Sequence, residues 1–137
     1  MAGYSITALE DIPDVSGDYP GEIRMGTEHI GAEQVAFTWR RMVPGTGGKG
    51  SYGHRHRTQE ELFLVISGTV EFKLEDEVVE VGPGHVVRVS PEVLRSVWNE
   101  GPEDALLVIV SPRLVDQSSE VELVDGFWPE GTREPLL

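Results

Sequence analysis

The stretch Ser51–Gly68, SYGHRHRTQEELFLVISG, places two histidines one residue apart and a carboxylate five residues after the second, just ahead of an apolar run. In an extended chain, side chains two apart point to the same side. His54 and His56 therefore face one way, and Arg55 and Arg57 the other. Glu61, beyond a short turn, opens a strand that runs back alongside. Two imidazoles and a carboxylate converging on one face suit a divalent transition ion of the Fe, Mn, Ni, Co or Zn kind. A histidine pair alone is a weak signal, and a hydrogen-bonded polar cluster without an ion fits the same residues. Gln59 and Glu60, in the turn before Glu61, are substitute ligands. Tyr52, Phe63, Trp39 and Trp98 are candidate pocket walls, with core packing as their other role. His85 is expected at a strand start, away from the pocket.

The elements that must carry these residues read as short strands. Helical apolar spacing is hard to find over any long window, whereas β-branched runs broken by Gly, Pro or acids recur. The expected strands are Val35–Val43, Leu62–Ile66, Thr69–Leu74, Val78–Val81, His85–Val89, Leu94–Trp98 and Ala105–Val110. Between them stand PGTGGKGSYG, SG, EDE, GPG, SPE and NEGPED, all turn chemistry. The pattern predicts an all-β antiparallel sandwich or barrel. A chain of 137 residues without repeat or linker is expected to form one domain, 1–137, with its barrel core at about 35–111. LFLVI and ALLVIV are apolar on both faces, so something must cover the outer one. A homodimer through the sheet is expected, with a flap formed by residues 1–34 as the alternative. Phe127 and Trp128 stand in an acidic, otherwise irregular tail and are expected to anchor it to the body.

The first stretch resembles the first motif of the cupin superfamily of small β-barrels: Gly, five residues, His-x-His, three or four residues, Glu, six residues, Gly. Gly48, His54, His56, Glu61 and Gly68 fill every position. The second cupin motif reads Gly, five residues, Pro-x-Gly, two residues, His, three residues, Asn. Its spacing holds from Gly84 to Asn99, but Ser90 replaces Pro, Glu92 replaces Gly and Arg95 replaces the third metal-binding His. The resemblance, over about residues 35–111, implies a double-stranded β-helix or jelly-roll barrel, a divalent metal on His54, His56 and Glu61, and a small-molecule pocket. It suggests a metal-dependent dioxygenase or isomerase.

Arg95 bears on that implication, because a guanidinium stays protonated at ordinary pH. It can pair with Glu61 without any ion, or serve as a planar anchor for a carboxylate or phosphate. The expected substrate-binding set is Arg95, Gln59, Phe63 and Tyr52. A metal-free binding module anchored by Arg95 is thus the alternative function, and acid–base catalysis by His54 or His56 a third. Arg40, Arg41, Lys49, Arg55 and Arg57 fall in an acid-free window from Thr38 to Thr58. They are read as solvated loop cations.

A formal charge of −13 disfavours nucleic acid and anionic membrane as partners, since such binding relies on clustered cations. Zero cysteines exclude disulfides, thiolate ligands and a Cys nucleophile. The acidic N-terminus lacks the pattern of a signal peptide, and the longest apolar run, Ala105–Val110, is too short to span a membrane. A cytoplasmic location is the expectation. No phosphate-binding loop, dinucleotide fingerprint or Ser-His-Asp order is present.

Overall fold

The structure is a computed structural model that describes residues 3–129. Apart from a 3-10 turn at Leu9–Asp11, its elements are strands: β1 (Glu22–Met25), β2 (Val35–Met42), β3 (Thr46–Gly47), β4 (Ser51–His56), β5 (Glu61–Ser67), β6 (Val70–Leu74), β7 (Glu77–Val81), β8 (Val86–Val89), β9 (Arg95–Asn99), β10 (Ala105–Pro112) and β11 (Val121–Trp128). They form two antiparallel sheets, β1-β2-β10-β5-β8 and β11-β4-β9-β6-β7, with β3 also on β9. The fold is the antiparallel double-stranded β-helix that the turn-punctuated strands imply. Among the described residues no helix is long and apolar enough to cross a membrane.

Inward residues of both sheets meet in one core that includes Met42, Phe63, Val65, Val70, Phe72, Val89, Val97 and Leu107. Phe63 and Phe72 meet across the two sheets edge to face, ring centroids 5.3 Å apart. Burial of this alternating set, at about 25 cal/mol per Å² of apolar surface, holds the sheets together. The strand period then delivers residues of matching parity into the same interior.

Three motif residues serve the backbone. Gly68 has φ +73, and a Cβ there would stand 2.4 Å from the Asp104 carbonyl oxygen, so the β5–β6 turn needs glycine. A Cβ on Gly48 would fall 1.9 Å from Ser96 Oγ. Asn99, 1 % exposed, donates from Nδ2 to the carbonyls of Met42 and Glu103 and accepts from the Gly101 N–H, each at 2.8 Å. It ties the end of β9 to β2 and to the turn that leads into β10.

The terminal segments depart from the sequence reading. The tail is not irregular: Val121–Trp128 pairs with β4, with a register shift between Val124 and Trp128. Trp128 is 5 % exposed, and the Phe127 ring lies against Gly53, where a Cβ would stand 2.2 Å from Phe127 Cδ2. Lys73 Nζ sits 4.1 Å from the same ring. At the other end, β1 adds a strand to the edge of β2, and Ile12 is buried beside Phe37 across Gly26. That N-terminal packing stops short of β5 and β8, where Leu62, Ile66 and Val86 stay 39 %, 47 % and 59 % exposed.

Candidate functional site

The site forms at one end of the interior, where both sheets contribute. β4 turns Tyr52, His54 and His56 inward, β9 supplies Arg95 and Val97, and β5 opens with Glu61 and Phe63. His54 stands directly opposite Arg95 in the β4–β9 register, so the residue in the third histidine's motif position reaches the same place. Except for His56, these side chains line a cavity of about 160 Å³ together with Ile23, Arg40, Gly48, Ser96 and Ile109.

Glu61 Oε1 is the point of convergence. It lies 3.4 Å from His56 Nε2, 3.7 Å from His54 Nε2 and 3.2 Å from Arg95 Nε. The oxygen is buried, yet none of these approaches has hydrogen-bond geometry, and Arg95 Nε and Nη2 are likewise buried without an acceptor. Burial pushes the Glu61 carboxyl up, but the imidazoles of His54 and His56 and the Arg95 charge outweigh it and hold the pKa at about 2. Glu61 is thus an anion facing two imidazoles edge to face, ring centroids 5.1 Å apart.

The donor set fits a divalent ion. Candidate ligand atoms of His54, His56 and Glu61 lie within 4.8 Å of one another. Metal–ligand bonds of roughly 2.1 Å at tetrahedral angles put neighbouring donors about 3.4 Å apart. The separations of 3.4 and 3.7 Å from Glu61 match such edges and are too long for hydrogen bonds. Two histidines and one carboxylate are a ligand set of first-row metals.

Arg95 is fully buried. Its Nη1 donates to the carbonyls of Pro91 and Val93, at 3.0 and 2.7 Å, so the loop that departs from the second motif forms a cradle for the cation. The Pro91 carbonyl also accepts the His56 N–H at 2.7 Å, joining that cradle to the histidine strand. Burial lowers the Arg95 pKa, and the Glu61 charge opposes it.

Of the other sequence candidates, Tyr52 and Phe63 line the cavity. Gln59 does not: it is 5 % exposed, and its Nε2 donates to the Pro112 carbonyl at 2.6 Å. Glu60 is exposed and paired with Arg88. Trp98 and Trp39 fall on the opposite parity and are absent from the lining, and His85 is exposed just before β8. Arg40, read as a solvated cation, lines the cavity instead. Arg41 pairs with Glu22 and Asp104, and Arg55 with Glu122.

Sequence reasoning missed Glu120. This residue, 4 % exposed at the foot of β11, accepts from the Thr58 hydroxyl at 2.7 Å and from the backbone N–H groups of Thr58 and Gln59 at 3.0 and 2.8 Å. Its Oε2 also lies 3.2 Å from His56 Nδ1. Burial pushes the Glu120 carboxyl up, and these donors bring it down to about 2. The local sequence held no signal, because the pairing of Val121 with His56 brings Glu120 here across 64 residues.

The cupin domain family model matches residues 39–111, more than half of the chain. No curated protein sequence matches. Among solved structures, a cupin protein from Bacteroides fragilis is 15 % identical over 85 % of this chain and 89 % of its own, with a TM-score of 0.67. The polyketide cyclase RemF from Streptomyces resistomycificus is 18 % identical over 78 % of each chain, with a TM-score of 0.66. A predicted oxalate decarboxylase from Thermotoga maritima is 19 % identical over 80 % of this chain and 99 % of its own, with a TM-score of 0.63.

Proposed function

Because the chain belongs to the cupin domain family, and its intact first motif converges on one cavity, we propose that it is a metal-dependent cupin acting on a small anionic molecule. The observation that carries this reading is Glu61 Oε1, a buried acceptor without a hydrogen bond, facing two imidazole Nε2 atoms at 3.4 and 3.7 Å. His54, His56 and Glu61 would hold a divalent Fe, Mn, Ni or Zn ion. When bound it supplies Lewis-acid polarisation of a substrate oxygen, the chemistry that isomerisation or dioxygenation of a small acid draws on.

The remaining residues bind and orient. A cavity of about 160 Å³ is comparable to the roughly 150 Å³ that accommodates benzene, so the substrate has few non-hydrogen atoms. The Arg95 guanidinium balances the Glu61 carboxylate in the lining, so a bound divalent ion would leave the site net positive. An anionic substrate is therefore favoured. Phe63, Ile23, Val97 and Ile109 provide apolar contact and exclude water from its far side.

Elemental analysis of protein purified without chelator tests the metal reading. About one first-row ion per chain, lost in His54→Ala and accompanied by a rise in melting temperature, supports it; no ion and no stabilisation by added metal refutes it. A second reading rests on the Arg95 guanidinium, whose Nη2 is buried without an acceptor: a metal-free carboxylate or phosphate binder. Stabilisation by small carboxylates that survives chelation and is lost in Arg95→Ala favours that reading. The exposed apolar residues Leu62, Ile66 and Val86 on β5 and β8 support a homodimer through this face, which sedimentation of Ile66→Glu against the unmodified chain tests.

A further inference from the structure

We propose that Glu120 is a positioning residue that fixes the tautomer of His56, holding the proton on Nδ1 so that the Nε2 lone pair faces Glu61. The inference deepens the metal reading and rests on it for its consequence, but not for its geometry. A neutral imidazole carries one proton on one of two nitrogens, and the partner of the distal nitrogen decides which. His56 Nδ1 lies 3.2 Å from Glu120 Oε2, while His56 Nε2 lies 3.4 Å from Glu61 Oε1. Two carboxylates thus compete for one proton. Nδ1 has the shorter approach, and it is the one with hydrogen-bond geometry.

Glu120 cannot swing away to relieve the competition. Its carboxylate is pinned by the Thr58 hydroxyl and by the N–H groups of Thr58 and Gln59, and the Arg57 N–H donates to its backbone carbonyl at 2.7 Å. The first donor set lies in the turn between the two motif histidines and Glu61. One carboxylate from the C-terminal segment therefore fixes both the ring of His56 and the turn that aims Glu61. Such outer partners of metal-binding histidines typically change metal affinity by roughly 10–100-fold when removed.

The test reads His56 in the metal-free protein and the metal separately. Nitrogen-15 NMR of the imidazole, at a pH where it is neutral, is expected to show protonated Nδ1 and unprotonated Nε2 in the unmodified chain. Glu120→Ala should mix the tautomers and weaken Ni²⁺ or Zn²⁺ binding by about 10–100-fold. Glu120→Gln, whose carbonyl still accepts from Nδ1, should restore the tautomer, and Thr58→Ala, which removes only a neighbour of the carboxylate, should leave it in place. A proton on Nε2 in the unmodified chain overturns the proposal, as does an unchanged tautomer in Glu120→Ala or failure of the Gln variant to restore it. If Glu120→Ala does not fold, the unmodified chain, Glu120→Gln and Thr58→Ala still decide. Because the tautomer is read without metal, absence of metal binding would sink the functional reading and leave this one standing.

Discussion

Replacing Arg95 by methionine should move two measurable quantities in opposite directions. Arg95 Nε is 3.2 Å from Glu61 Oε1, so an ion bonded to that oxygen can be no farther than about 5 Å from the guanidinium nitrogen. For charges of +2 and +1 at that distance, Coulomb's law at an effective dielectric near 20 gives roughly 7 kcal/mol of repulsion. If a third of this reaches the binding equilibrium, about 2 kcal/mol, methionine tightens divalent-metal binding by about thirtyfold. The metal-free fold responds the other way. Arg95 is fully buried and Glu61 nearly so, and removing one partner of a buried pair costs about 3–5 kcal/mol because the other charge is left uncompensated. The Val93 carbonyl also loses the Arg95 donor, while that of Pro91 keeps only the His56 N–H. Titration calorimetry with Ni²⁺ or Zn²⁺, paired with thermal melts with and without metal, is the assay. The expected result is a lower melting temperature without metal, a smaller Kd, and a larger metal-induced rise than in the unmodified chain. A Kd that is unchanged or larger in a folded Arg95→Met protein would refute the electrostatic reasoning and place Arg95 among the groups that help hold the ligand.

Acid should weaken the fold in a defined window. The Glu61 and Glu120 carboxyls are both lowered from 4.5 to about 2, so the stability they contribute is fully present above about pH 4.5 and is lost as pH falls towards 2. Equilibrium denaturation should show that slope between pH 4.5 and 2, and Glu61→Gln should flatten it. The Glu61 share is of order 3 kcal/mol at most. Asn99→Ala should cost about 2–3 kcal/mol, since it strips a buried amide that satisfies three backbone groups; a melting temperature lowered by less than a few degrees would contradict the assigned role. Gly53→Ala forces a methyl into the Phe127 ring and should cost about 1–3 kcal/mol, with faster proteolysis at residues 113–129 as the marker that β11 has been dislodged.

What the sequence could reveal about this site depended on how local each placement is. His54 and His56 were legible because strand parity alone puts both on one side, and Glu61 because the turn before it is short. Arg95 was legible through a spacing from Gly84 to Asn99 that the β4–β9 register turns into contact with His54. Arg40 was not. β2 reads VAFTWRRM, and its aromatic residues Phe37 and Trp39 point away from the cavity while Thr38 and Arg40 share the inward parity, the reverse of the usual polarity. Phe37 can face outward because Ile12, from a segment with no strong pattern of its own, packs beside it. The tail misled for a related reason. β11 pairs with β4 alone, and its first residues Val121, Glu122 and Leu123 are exposed on both faces, so no alternation of apolar residues is demanded of it.

The altered second motif is easier to understand once its positions are separated by what each one touches. Gly48, Gly68 and Asn99 meet backbone or a close neighbour, so changing them would move the chain. The residue at 95 meets only side chains and the carbonyls of its own loop, and the loop is free to follow it. With serine and glutamate where the motif has proline and glycine, residues 90–94 turn two carbonyls towards position 95, an arrangement that suits a guanidinium with several donors, whereas a neutral imidazole ligand has a single N–H to give. The barrel can therefore keep its geometry while the charge at the cavity floor changes from that of a metal ligand to that of a permanent cation. Reverting position 95 alone, as Arg95→His, should then bind metal less well than the same change made together with Ser90→Pro and Glu92→Gly, because the new imidazole would meet carbonyls arranged for a guanidinium. Equal affinities in the single and triple variants would show that the loop follows its residue without preference, and that the three departures are independent.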